Sequence, residues 1–341
     1  MIDNDHGQTR SPFFTTETPD TAAPGSRESI FAGLGLKTDP FPSDPAAGPF
    51  ITAVGQSAVL DLLNEWWIEE GSGSLAIVTG DPGSGKTRLL IEFIHVVAHN
   101  NAVTLATLVD RGTRRSDAQL LKEIVLAFGG TPTGRTGLEL QAEVRQHFAD
   151  VASSGQQPLL LIDAANFTGS QLEILRSLLT DSPARIVLFG EPDLSDRLAR
   201  RRSLTAFIGV SISIGRFESN EINQLVRQRL EANRMSKASD PPHVEDEALE
   251  SLNEFVEGNP RAAVRLMHAA LIDALARGRH QVDREMILLA HRNLDPRGGG
   301  LANQEDTDLV VQTRFALPGF EEVSPPAVER RHRRTRPEGG S

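Results

Sequence analysis

The sequence Gly80-Asp81-Pro82-Gly83-Ser84-Gly85-Lys86-Thr87 matches the pattern GxxxxGK[ST]. Residues 74–79 (SLAIVT) precede it and form a short, apolar, β-prone run that predicts a buried strand. Residues 87–99 follow it, and their apolar side chains recur at helical spacing, at Leu89, Leu90, Phe93, Ile94 and Val97. This strand–loop–helix context predicts a loop whose backbone N–H groups surround an anion at the positive end of a helix.

The polar residues of this loop predict a site for a nucleoside triphosphate and Mg²⁺. Lys86 is expected to reach the β- and γ-phosphates, and the hydroxyl of Thr87 is expected to hold Mg²⁺. The rest of the loop, from Gly80 onward, and the following Arg88 are expected to line the bound nucleotide. A glycine-rich turn without a ligand is the alternative, and the flanking strand and helix argue against it.

A second acidic position fits the same site. Residues 158–163 (PLLLID) predict a short apolar strand that ends in Asp163. A carboxylate at the C-terminal end of a buried strand, beside such a loop, can hold Mg²⁺ through water. A turn or helix-capping role for Asp163 is the alternative. We therefore expect Thr87 and Asp163 to be the metal-binding pair.

The composition restricts the function classes. The sequence has 341 residues, enough for two domains, and no cysteine, which excludes disulfides, thiolate catalysis and Cys-ligated zinc. The net charge of −11 argues against a generally basic nucleic-acid coat, although local patches can still bind DNA. No apolar run is long enough to span a membrane, and residues 1–10 (MIDNDHGQTR) lack a signal-peptide core. We expect a soluble, cytoplasmic protein.

Strand and helix patterns alternate and then give way to helices alone. Residues 30–215 predict an α/β domain with a parallel sheet covered on both faces, and residues 216–297 a small all-helical lid domain. Residues 1–29 and 298–341 are polar and rich in Pro, Gly or charge, and are predicted to be disordered tails. The second tail contains five arginines in residues 330–336, which predict either a solvated tail or an electrostatic tether.

Three further segments make the chain resemble an AAA+ ATPase over about residues 30–295. Residues 31–41 (FAGLGLKTDPF) resemble the signature FGLxxDPF of one AAA+ branch, and residues 190–199 (GEPDLSDRLA) resemble its GQPELRDRLA. Residues 258–261 (GNPR) stand where the family has its sensor-2 GxPR. That branch contains the ATPase of general secretion pathway protein A (ExeA/GspA type) and the transposon ATP-binding proteins (TniB/TnsC type).

The resemblance implies a site completed by arginines and by oligomerisation. Arg261 would be the sensor-2 arginine, which approaches the γ-phosphate as the lid closes. Arg201, in the run of Arg200, Arg201 and Arg202, would be a finger inserted into a neighbouring subunit's site. A homo-oligomeric ring or filament would then be needed for full activity, because each arginine stabilises charge during phosphoryl transfer. The alternative is that these arginines are surface cations.

The sequence departs from the AAA+ pattern where the catalytic glutamate is expected. The family typically has Asp-Glu-Ala-Gln, whereas this chain has Asp163-Ala164-Ala165-Asn166. Loss of a base that orients water typically lowers the rate by about 10²–10⁴. Glu191 stands at the position of the family's sensor-1 Gln and would be a displaced base. The alternative is that Glu191 is a surface turn residue and that turnover is very slow.

Three functions stay open. The first is an ATP hydrolase that uses the ATP-bound oligomer to drive or signal the assembly of a partner complex. The second is a DNA-binding transposition regulator, supported by the loop with Arg111, Arg114 and Arg115 and by the Arg-rich tail. The third is a hydrolysis-deficient ATP-binding scaffold in a secretion or envelope system, which the alanine at position 164 favours.

Overall fold

A five-stranded parallel sheet forms the first part of the protein. The computed structural model describes residues 30–50, 54–69, 74–98, 103–109, 115–163, 165–236 and 240–294. The strands are β1 (Leu75–Gly80), β2 (Val103–Val109), β3 (Gln157–Asp163), β4 (Arg185–Gly190) and β5 (Ile208–Ile214). They lie in the order β2-β3-β4-β1-β5, and every neighbouring pair is parallel. The predicted parallel sheet is confirmed.

Seven helices belong to this part of the described chain. They are α1 (Val54–Ile68), α2 (Lys86–Ala98), α3 (Asp117–Ala127), α4 (Gly137–Ser153), α5 (Gly169–Leu179), α6 (Asp193–Ala199) and α7 (Arg202–Thr205). The helical spacing of residues 87–99 predicted α2 to within one residue at each end, and no pattern indicated α6 or α7. Both helices are short, seven and four residues, and a helical pattern is recognised only over a window of about 11–18 residues.

The sheet is covered on both faces, which explains why its strands are continuously apolar. All six positions of β1 are buried. Ala76 and Val78 pack with side chains of α1 and α2, whereas Leu75 and Ile77 pack with side chains of α3, α4 and α5. The result is the three-layer arrangement that the sequence predicted.

Helices alone follow β5, apart from one short pairing. The helices are α8 (Ser219–Ala232), α9 (Asp246–Val256), α10 (Pro260–Ala276) and α11 (Arg284–Leu294). Two two-residue strands, β6 (His243–Val244) and β7 (Gln281–Val282), pair in parallel within this region. The prediction of helices after the sheet is confirmed, and the description of the lid as all-helical is corrected by this pair. No helix in the described part of the chain is long and apolar enough to cross a membrane.

The segment that precedes the sheet packs with the lid. Phe31, Leu34, Leu36 and Phe41 are buried in one cluster with the apolar faces of α8 to α11. Leu36 also forms an isolated antiparallel bridge with Arg234 at the end of α8. This segment was predicted to belong to the α/β domain, whereas its apolar side chains lie in the lid core. The two predicted tails lie outside the described residues, and so do Arg111 and Arg114 in the segment after β2.

Candidate nucleotide-binding site

The glycine-rich loop joins β1 to α2 and takes the conformation that its sequence predicts. Gly83 and Gly85 have φ angles of +80° and +96°, in the left-handed region that favours glycine. A Cβ on Gly85 would also collide with Nε2 of Gln56. Helix α2 begins at Lys86, so the loop lies at a helix N-terminus. This geometry suits an anion that accepts hydrogen bonds from backbone N–H groups.

Lys86 lies at the centre of the loop. Its Nζ donates hydrogen bonds to the carbonyl oxygens of Gly80 at 2.6 Å and Asp81 at 2.8 Å. Burial lowers the pKa of Lys86 below its ordinary value, and the charge of Arg261 lowers it further. The charge of Asp163 acts in the opposite direction. The carboxylates of Glu191 and Asp81 raise the pKa of Lys86 further. Each of these predicted site residues is thus close enough for its charge to act on the lysine.

Thr87 and Asp163 meet directly. Oγ1 of Thr87 donates a hydrogen bond to Oδ2 of Asp163 at 2.7 Å, across a sequence separation of 76 residues. Asp163 ends β3 and is only 5% exposed. A hydroxyl and a carboxylate are the oxygen ligands that Mg²⁺ prefers, and Mg²⁺ usually takes its other ligands from water and phosphate. This pair therefore fits Mg²⁺, although the described residues contain no group of three or more His, Asp or Glu that could hold a metal ion.

The strand order brings a third residue to this edge. Strand β4 lies between β1 and β3, so its C-terminal end at Gly190 is adjacent to both Gly80 and Asp163. Glu191 follows directly and has an exposed side chain. The N–H of Ala165 donates to the carbonyl oxygen of Phe189 at 2.7 Å, which ties the chain after Asp163 to β4. Ala164 itself lies outside the described residues.

The lid contributes Arg261 above the loop. Arg261 is the second residue of α10, and its N–H lies 3.4 Å from the carbonyl oxygen of Gly83. A Cβ on Gly83 would lie 3.0 Å from Cβ of Arg261, so the lid and the loop are in close contact. The Arg261 side chain is exposed and forms no ion pair within the described part of the chain. The sequence-predicted juxtaposition of this arginine with the loop is therefore present.

Three site residues were not predicted from the sequence. Gln56 is 4% exposed, and its Nε2 donates to the carbonyl oxygen of Ser84 at 3.2 Å. Arg216, in the link between β5 and α8, lies 3.4 Å from the Asp81 carboxylate. Asn259 caps α10 and contacts the loop. Only Asn259 carried a local signal, because Asn followed by Pro is typical of a helix start.

The remaining predicted arginines do not point into the loop. Arg88 donates to the carbonyl oxygens of Pro45 and Ala46, both at 3.1 Å, and pairs with Glu92 at 2.6 Å. Its guanidinium therefore binds the segment before α1 rather than the phosphate-binding loop. Arg201 is half-buried against Gly169 at the start of α5, since a Cβ on Gly169 would lie 2.7 Å from an Arg201 terminal nitrogen.

Arg115, one of the three arginines in the loop that supported the DNA-binding alternative, is buried and paired. The side chain of Arg115 is 6% exposed and pairs with Glu123 at 2.7 Å. A buried, paired guanidinium is not available to a phosphate backbone. Arg115 therefore gives no support to the DNA-binding alternative.

Known proteins resemble the chain over this same region. Residues 69–198 match the family model for the AAA domain. General secretion pathway protein A of Aeromonas hydrophila is 26% identical over 269 residues, which cover 75% of this chain and 47% of that protein. The chain thus spans about half the length of this curated relative.

Solved structures share the fold. Cdc6p from Pyrobaculum aerophilum has a TM-score of 0.59 and 16% sequence identity, with 74% of this chain and 70% of that chain covered. The Drosophila ORC bound to DNA has a TM-score of 0.57 and 18% identity, with 84% and 70% covered. Because both sequence identities are below 25%, these similarities show a shared fold and nothing more.

The fold and the site define a P-loop protein with a parallel sheet and a helical lid. Within that class, residues 69–198 match the AAA domain, and the fold is shared with Cdc6p and ORC, in agreement with the resemblance noted in the sequence. The chain's similarity to General secretion pathway protein A supports the branch that the three signature segments indicated.

Proposed function

We propose that this protein binds ATP with Mg²⁺, oligomerises in that state to drive or signal assembly of a partner complex, and hydrolyses ATP slowly to ADP and phosphate. The observation that carries the proposal is the hydrogen bond between Thr87 and Asp163 close to the half-buried Lys86. A chance glycine-rich turn would not bring these three groups together at the C-terminal edge of the sheet.

Each group has a distinct role in binding. The Lys86 ammonium balances the charge of the β- and γ-phosphates, and backbone N–H groups of the loop donate to the same oxygens. Thr87 and Asp163 would hold Mg²⁺, which neutralises phosphate charge when bound. Arg261 enters from the lid toward the γ-phosphate. These interactions favour ATP over ADP because Arg261 interacts with the γ-phosphate, which ADP lacks.

Hydrolysis needs an oriented water. The water oxygen attacks the γ-phosphorus as the bond from that phosphorus to the bridging oxygen breaks, and ADP leaves. A base must accept one proton of the water, and Glu191 is the carboxylate at the strand end beside Asp163. Its side chain is exposed, so water can reach the carboxyl group. The hydrolysis-deficient scaffold is favoured instead by the alanine at position 164.

Assembly through shared sites is supported by the corner between α6 and α7. Arg200 and Arg202 are exposed there, whereas Arg201 is half-buried. We therefore assign the predicted finger to this exposed pair as well as to Arg201. DNA binding has less support, because Arg115 is paired with Glu123, although one structurally similar protein is described as bound to DNA.

The test of nucleotide binding is Lys86→Ala, measured by calorimetry with ATP and Mg²⁺. We expect measurable binding to be lost while the thermal unfolding transition is retained, because no other ammonium of the described chain lies in the loop. Lys122→Ala is the matched control, since Lys122 is exposed on α3 and should leave the affinity unchanged. Undiminished ATP affinity in Lys86→Ala would refute the assignment of the loop.

A further inference from the structure

Asn259 joins the lid to the phosphate-binding loop through one side chain. Its Oδ1 accepts hydrogen bonds from the N–H groups of Arg261 at 3.0 Å and Ala262 at 3.2 Å, and so caps α10. Its Nδ2 donates to the carbonyl oxygen of Pro82 at 3.0 Å. The side chain is only 8% exposed. One amide therefore holds the first turn of α10 and the loop together.

The loop is shaped to receive this amide. A Cβ on Gly83 would lie 2.5 Å from Oδ1 and 2.9 Å from Nδ2 of Asn259, so only glycine permits the contact. On the lid side, Glu257 and Gly258 both have positive φ angles, of 47° and 75°, and form the turn that presents Asn259. The N–H of Phe217 donates to the carbonyl oxygen of Gly258 at 2.9 Å and holds that turn. The Asn259 side chain is thus positioned from both sides.

We propose that Asn259 is a positioning residue that couples the phosphate-binding loop to Arg261. This rests on the proposed function, because it requires that the loop holds ATP. The loop is connected to Asn259 through Pro82, and Arg261 follows Asn259 by two residues in the first turn of α10. A shift of the Pro82 carbonyl on nucleotide binding is therefore passed to the turn that carries Arg261. The coupling favours ATP over ADP, since Arg261 is directed at the γ-phosphate.

The chemistry of the amide makes the two functions of Asn259 separable. Serine caps helices about as well as asparagine, because its oxygen accepts the same backbone N–H groups. Serine has no N–H donor and is too short to reach Pro82. Asn259→Ser therefore keeps the cap and removes the contact with the loop. Asn259→Ala removes both.

The test compares ATP and ADP affinities by calorimetry in the full-length protein. We expect Asn259→Ser to weaken ATP binding by about two- to tenfold, the effect of one net hydrogen bond, and to leave ADP binding unchanged. The melting temperature should stay within about 2 °C of wild type, because the cap is retained. Asn259→Ala should show the same loss of ATP affinity and, in addition, a lower melting temperature.

A double-mutant cycle with Arg261→Ala decides whether Asn259 acts through that arginine. In the Arg261→Ala background, Asn259→Ser should cause no further loss of ATP affinity. Losses that add in full, an equal loss for ATP and ADP, or an unchanged ATP affinity in Asn259→Ser would each overturn this inference. A wild-type protein that binds neither nucleotide would instead refute the proposed function, so the two failures are distinguishable.

Discussion

Glu191→Gln is the change that separates an ATPase with a displaced base from a binding switch. The substitution preserves the shape of the side chain and removes the carboxylate that would accept a proton from water. Glu191 follows β4 directly, at the strand end that lies between Gly80 and Asp163, and its side chain is exposed. Loss of a positioned base typically costs about 10²–10⁴ in rate, or about 2.7–5.5 kcal/mol in activation free energy.

We expect at least a tenfold fall, about 1.4 kcal/mol, in the steady-state ATPase rate of Glu191→Gln, because an exposed carboxylate is replaceable in part by water. ATP affinity should survive, since Lys86, Thr87 and Asp163 are untouched. The rate of phosphate release at saturating ATP measures the first effect, and calorimetry measures the second. Asp193→Asn is the matched control, because it removes a neighbouring negative charge from the exposed face of α6 and should leave the rate unchanged.

Ala164→Glu provides the complementary test. If Glu191 positions the water, this variant should gain activity over wild type by placing a second carboxylate directly after Asp163, at the ordinary place. A slow wild-type rate that Glu191→Gln does not change, together with a gain in Ala164→Glu alone, would refute the role of Glu191. That outcome would leave the protein as an ATP-dependent binding switch.

Two further predictions concern self-association and pH. A slowly hydrolysed ATP analogue should promote self-association in sedimentation experiments, and ADP should not. Substitution of Arg200 and Arg202 by alanine should weaken this self-association. A protein that stays monomeric under all nucleotide conditions would refute the model of sites shared between subunits. His268, on α10, lies 2.7 Å from the Asp39 carboxylate, and that hydrogen bond raises the pKa of His268 above its ordinary 6.5. Because the folded-state pKa is the higher one, the stabilisation is complete below pH 6.5 and is lost as the pH rises through the raised value. His268→Gln should flatten this dependence in denaturant unfolding, and an unchanged pH profile would contradict the role of the pair.

Local patterns in the sequence predicted the candidate nucleotide site and the strands and helix around it. The loop from Gly80 to Thr87 needs glycines for its backbone and a lysine for its charge, and both requirements appear within eight residues. The continuously apolar strands predicted a parallel sheet because both of its faces are covered. Asp163 was identifiable as a candidate because it ends an apolar strand in a chain that also contains the glycine-rich loop. These features depend on neighbours in sequence, so the sequence alone shows them.

Contacts between distant segments were decided only by the tertiary structure. Strand β4 lies between β1 and β3, which places Glu191 between the loop and Asp163. Hydrophobic periodicity does not determine the order of strands in a sheet. The burial of Phe41 in the lid core depends on partners far away in sequence. Asn259 has the local signature of a helix cap, yet its contact with Pro82 follows only from the docking of the lid on the loop. A side chain's hydrogen-bond partners are set by the packing of whole elements, which no local pattern records.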